Sequence, residues 1–162
     1  MASTAAIVFE DVLRGNNDGP SRAGLLLYHG AATVGRVALI VDRTKEERVQ
    51  HWLDSHGLTD HSWLVMPRDN DPEDPAERRL QQVTRLRLEG AAVELVVEPN
   101  PLVAAALQAA GVPTALFLHP SYARPEFRPD YKGGIKPWAV LMESVERTNQ
   151  IKHDDKRTSV IL

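Results

Sequence analysis

Five short apolar runs, separated by stretches of helical period, constrain this chain more than any other feature. AAIVF (5–9), RVALIVDRT (36–44), WLVMP (63–67), AVELVVE (92–98) and PTALFL (113–118) read as strands, apolar along most of their length rather than alternating. Such runs suit strands buried on both faces. Between them, LLLYHGAATVG (25–35) reads as a short helix, weakened by its two glycines. The segment 45–56 puts Val49, Trp52 and Leu53 on one face, with Thr44 and Glu47 spaced as a capping box and Gly57 as its stop. Residues 76–90 place Leu80, Val83 and Leu86 at helical spacing, and Asn100-Pro101 opens a helix over 102–111. Pro137 suits the first turn of a last helix running to about 149. Strands alternating with helices predict right-handed crossovers and a mainly parallel five-stranded sheet in a three-layer α/β domain.

The chain has 162 residues, enough for one domain with a core of its own, predicted over 1–150 with a polar tail over 151–162. It has no cysteine, so its own side chains offer neither disulfides nor thiolate sites. The net charge of −3 gives no overall basic excess of the kind that marks duplex-DNA binders. Its apolar runs fall short of the roughly 20 residues that cross a bilayer. The N-terminus lacks the basic and long apolar regions of a signal peptide. A cytoplasmic protein without membrane association is the expectation.

Ligands of such sheets lie beyond the carboxyl ends of the strands, where the strand order reverses. The residues there are Glu10 and Asp11, Asp42 and Thr44, Arg68 and Asp69, Glu98 and Asn100, and His119. Acids follow the first four strands. Gathered at one rim they would suit Mg²⁺, which takes oxygen ligands; scattered, they are ordinary surface residues.

The order of these features resembles the haloacid dehalogenase (HAD) superfamily. AIVFEDVL is similar to its first motif, an apolar strand ending in D-x-D-x-T/V. RVALIVDRT offers Thr44, or Asp42, for the second; Arg78 and Arg79 are candidates for the basic third; VELVVEPNP offers Glu98 for the acidic fourth. WLVMPRDNDPEDPAERRLQQV resembles the phosphatase domain of polynucleotide kinase-phosphatases, where an M-R-x-x-x-D loop precedes the lysine-bearing helix. The resemblance spans about residues 5–118 and implies a Rossmannoid fold without a large cap. It also implies phosphoryl transfer to a carboxylate, Asp11 or Glu10. Mg²⁺ would be held by Asp11 (or Glu10) with Glu98, and phosphate by Thr44, Arg78 and Arg79.

The chemistry of the first motif is incomplete. With Glu10 as nucleophile, Val12 takes the general-acid position; with Asp11, Leu13 does. Neither moves a proton, and losing that acid typically costs about 10²–10⁴-fold. Neighbouring side chains on a strand point to opposite faces, so only one of the two acids faces the ligand. Glutamate would also carry its oxygens about one C–C bond further forward than aspartate. The expectation is a HAD-like relative acting on or binding a nucleotide or nucleic-acid phosphate with weak or no turnover. The alternative is an inactive scaffold for binding or assembly.

Three other stretches stand out. Residues 119–134 set Tyr122, Arg124, Phe127, Arg128, Tyr131 and Lys132 side by side, a mixture that could stack a base and pair a phosphate through Arg124, dock a protein partner, or simply pack as a stiff flap. The tail ends in Val-Ile-Leu and is a second candidate contact for a protein partner. Arg78, Arg79, Arg85 and Arg87 crowd one helix, as a solvated face or, at its start, as phosphate contacts.

Overall fold

A strand with neighbours on both edges and helices on both faces has no wet side, which is why the first two apolar runs are continuous. The computed structural model describes residues 1–15, 17–118 and 138–154. Five parallel strands, β1 (Ser3–Val8), β2 (Arg36–Ile40), β3 (His61–Val65), β4 (Ala92–Glu98) and β5 (Thr114–Leu116), form one sheet in the order β3-β2-β1-β4-β5. The helices are α1 (Arg22–Val34), α2 (Glu46–Ser55), α3 (Pro75–Leu88), α4 (Pro101–Ala109) and α5 (Trp138–Asp154).

Alternate residues of the sheet feed two cores. Ile7, Phe9 and Leu39 pack with Tyr28 of α1 and Val49, Trp52 and Leu53 of α2. Ala6, Ala38, Ile40 and Val96 pack on the other face with Val83 and Leu86 of α3 and Val103 and Leu107 of α4. The chain builds outward from β1 through β2 to β3, then crosses back to β4 and β5. The order therefore reverses between β1 and β4, and the crevice above these two strands is where such folds hold ligands. α5 packs beside α4.

The helix expected over 25–35 begins earlier, at Arg22, because Ser21 caps it: its Oγ accepts from the Gly24 N–H at 3.1 Å. Gly24 lets α1 settle on the turn after β1, since a methyl group there would collide with the Val12 carbonyl oxygen. Gly30 is different. It is exposed in mid-helix, with nothing within 4 Å of an added methyl group. Gly30→Ala is expected to stabilise the fold by about 0.5–1 kcal/mol in urea denaturation. An unchanged or lower midpoint would mean that α1 is constrained in a way its surroundings do not reveal.

The strand expected over 36–44 ends at Ile40, because from Asp42 onward the backbone N–H groups turn inward to a side chain. Thr44 does not cap α2. The N-cap is Lys45, which makes no side-chain cap, and the Thr44 hydroxyl is engaged elsewhere. α3 starts at Pro75, with the Asp74 carboxylate accepting from the Glu77 N–H at 2.9 Å. The last helix, expected to end at about 149, runs to Asp154. Among the described residues, no helix is long and apolar enough to cross a membrane.

Candidate functional site

The turn after β1 separates the two acids. The Leu13 and Arg14 N–H groups both donate to the Phe9 carbonyl, and Asp11 takes a left-handed backbone with φ 67°. Aspartate tolerates that region better than most residues. Glu10 points toward the β2–α2 loop. Asp11 lines the crevice together with Asp42, Arg78, Arg79 and Glu98.

Glu10 is 2% exposed, and its carboxylate is fully engaged. Oε2 accepts from the Asp42 N–H at 2.9 Å. Oε1 accepts from the Arg43 and Thr44 N–H groups, each at 3.0 Å, and from the Thr44 hydroxyl at 2.8 Å. Successive backbone N–H groups converging in this way make an anion cradle. The extra methylene of glutamate is what carries the carboxylate into it. Thr44 also accepts from Arg14 Nη2 at 3.2 Å, so its hydroxyl is occupied as both donor and acceptor.

Arg79 occupies the other half of the rim. It is 3% exposed, and its Nε donates to Glu98 Oε2 at 2.7 Å. Its two terminal nitrogens fork onto Asp42, Nη1 to Oδ1 at 2.8 Å and Nη2 to Oδ2 at 2.9 Å. Nη1 also donates to Gln82 Oε1 at 2.8 Å. Burial works against the guanidinium charge, but Asp42 and Glu98 outweigh it and hold the group above its ordinary range. Burial likewise pushes the Asp42 carboxyl up, and Arg79 more than reverses this, leaving it below the usual range. For Glu98 burial prevails over Arg79, the Asp42 charge adds to it, and the carboxyl lies above the usual range.

Arg78 turns aside. Its Nε donates to the Pro72 carbonyl at 3.1 Å and its Nη2 to the Glu73 carbonyl at 2.7 Å, pinning the acidic loop before α3. Arg85 bonds Asp71 of the same loop at 3.2 Å. The arginines of α3 divide: Arg78 and Arg79 are buried against the loop carbonyls and rim carboxylates, Arg85 is half-buried, and Arg87 is exposed. Arg124, with residues 119–134 and the end of the tail, lies outside the described residues.

The protein has a structural counterpart. It is similar to a chain in the structure of the Pnkp1/Rnl/Hen1 RNA repair complex, with a TM-score of 0.52 and 15% identity over 72% of this chain. The match spans 42% of the length of that chain. No protein-family model and no curated protein matches this sequence. At that identity the likeness concerns the fold.

The residues present do not fit Mg²⁺ as arranged. Arg79 Nε engages Glu98 Oε2, the Asn100 N–H engages Oε1 at 2.9 Å, and a guanidinium covers both Asp42 oxygens. Among the described residues, no three His, Asp or Glu side chains gather as metal ligands. The crevice itself holds about 60 Å³. That is well below the roughly 300–1,000 Å³ of ordinary ligand pockets.

Sequence reasoning named Glu10, Asp11, Thr44, Arg79 and Glu98, all of which stand at this rim. It did not find Gln82, which locks Arg79 in place while donating to the Val41 carbonyl at 3.1 Å. A glutamine three residues after an arginine on a helix shares its face, and that spacing was the available signal.

Proposed function

We propose that this chain is a HAD-like relative that binds the phosphate of a nucleotide or nucleic acid and turns it over slowly or not at all. One observation carries the reading: the rim supplies its own counter-ions. The Glu10 carboxylate lies in the backbone cradle where an anion would otherwise sit. The Arg79 guanidinium lies between the carboxylates that a cation would otherwise bridge. In this reading the general-acid position holds no proton-transferring group, since Val12 and Leu13 are apolar and fully buried. Thr44 and Arg79, expected as phosphate contacts, serve the internal network instead. The resemblance to polynucleotide kinase-phosphatases and the fold shared with a chain of an RNA repair complex support nucleic-acid phosphate as the ligand class.

The same closed rim supports a second reading, a scaffold that binds no phosphate at all. The two readings part on whether a phosphorylated probe binds. Turnover is tested by Mg²⁺-dependent phosphate release from nucleotides, 3′- and 5′-phosphorylated oligonucleotides and an aryl phosphate, with Asp11→Asn alongside. The expected result is no release above background. Release that needs Mg²⁺ and disappears in Asp11→Asn would overturn the reading in favour of a working phosphohydrolase.

A further inference from the structure

If phosphate binds and the inner cradle is filled, the phosphate must bind elsewhere. A second pocket, of about 550 Å³, opens beside the β2–α2 loop and is lined by Arg14, Arg43, Thr44, Lys45 and Arg48. Four of these five residues are cations and none is an acid, in a chain whose net charge is −3. Helical phase explains the segregation. Lys45 and Arg48 stand three apart and share a face, while Glu46 and Glu47 fall to the side and line neighbouring hollows.

Arg43, Lys45 and Arg48 are exposed, and among the described residues their side chains make no ion pair or hydrogen bond. Arg14 is more fixed. Its guanidinium lies 5.1 Å from the centre of the Phe9 ring, bonds Thr44 and pairs loosely with Asp18 at 3.7 Å. α2 begins here at its N-cap, Lys45, without a side-chain cap. Like charges gathered around one pocket raise one another's energy, and an anion bound there relieves them together.

We propose that this pocket is the phosphate-binding site, taking a ligand with consecutive phosphates: a nucleic-acid strand or a nucleoside polyphosphate. The inference rests on the phosphate-binding reading above and moves the site from the inner crevice to the outer face of the β2–α2 loop.

The test is fluorescence anisotropy with a labelled 12-nucleotide single-stranded RNA, competed by unlabelled RNA, by ATP and by inorganic phosphate. Three exposed cations, Arg43, Lys45 and Arg48, predict a slope of log affinity against log salt of about −2 for a single strand. Affinity then falls about 20-fold between 50 and 200 mM salt. The triple variant Arg43→Gln/Lys45→Gln/Arg48→Gln should lose at least tenfold in affinity at 50 mM salt and most of the salt slope. Arg87→Glu, exposed on α3 outside the pocket, should bind as the parent does.

Competition by RNA alone identifies a strand as the ligand; competition by ATP as well identifies a polyphosphate. Either outcome supports the pocket. Binding that survives intact in a folded triple variant overturns the pocket and leaves the phosphate-binding reading standing. No binding of any probe by the parent overturns both. Phosphate release in the turnover assay, with binding still lost in the triple variant, overturns only the absence of turnover.

Discussion

Arg79→Met is expected to destabilise the fold by about 3–5 kcal/mol at neutral pH, the usual cost of stripping one partner from a buried ion pair. The variant fills much of the same volume, so packing changes little. Charge changes a great deal. Glu98 is 1% exposed and keeps only the Asn100 N–H, while Asp42 lies nearer the surface and can rehydrate. Most of the loss should therefore trace to Glu98.

Two measurements isolate that cause. Adding Glu98→Gln to Arg79→Met should recover about 2 kcal/mol, because a neutral amide costs less to bury than an uncompensated carboxylate. Acidification should help the single variant. The Glu98 carboxyl already lies above its ordinary range, and removing the Arg79 charge raises it further. A raised carboxyl keeps its proton in the folded state after the unfolded chain has released it. Stability is then greatest below the unfolded value of about 4.3 and declines as pH rises through the folded one. Urea denaturation at pH 5 and pH 8 should show the smaller deficit at pH 5. Equal deficits at both, with no rescue by Glu98→Gln, would assign the loss to packing instead.

Glu10→Ala is the second large effect, about 3 kcal/mol, because one truncation strips the acceptor from three N–H groups and a hydroxyl. For a domain of this length the thermal midpoint should fall by about 6–12 °C. Glu10→Gln should cost less. Its amide oxygen can take the place of Oε1, which receives three of the four bonds, leaving only the Asp42 N–H opposed by an amide nitrogen. The cradle in Glu10→Ala is vacated but still formed by backbone, so inorganic phosphate should raise that variant's midpoint while leaving the parent's inner site unaffected. A parent and an alanine variant that respond alike to phosphate would show that Glu10 does not occupy an anion site.

β1 and β2 were legible because each is a run of Val, Ile, Leu and Ala buried on two faces, the mark of a central parallel strand; the edge strands β3 and β5 are less buried and carry a weaker mark. The start of α1 was not. Its cap, Ser21, lies inside GNNDGPSRAG, where turn-forming residues hide a helix signal. The end of β2 was misplaced for a tertiary reason: Asp42, Arg43 and Thr44 bend toward a carboxylate more than thirty residues away in sequence. The rim residues were legible as positions at strand ends, since topology fixes which ends meet. Their pairing was not. Adjacent Arg78 and Arg79 look equivalent in sequence, and only the fold decides that one pins a loop while the other joins two carboxylates. Parity along β1 said that Glu10 and Asp11 diverge, but not that the longer side chain reaches the loop.

Glu10 also has a consequence for concentration. A diffusible anion leaves its cradle when diluted, and its effect on a protein follows mass action. An anion tethered to the backbone by two methylenes is present at the same effective concentration in every compartment and at every dilution. The β2–α2 loop is therefore held in one shape by Glu10 from the moment the chain folds. A surface on the far side of that loop inherits a fixed form without waiting for a small molecule to arrive.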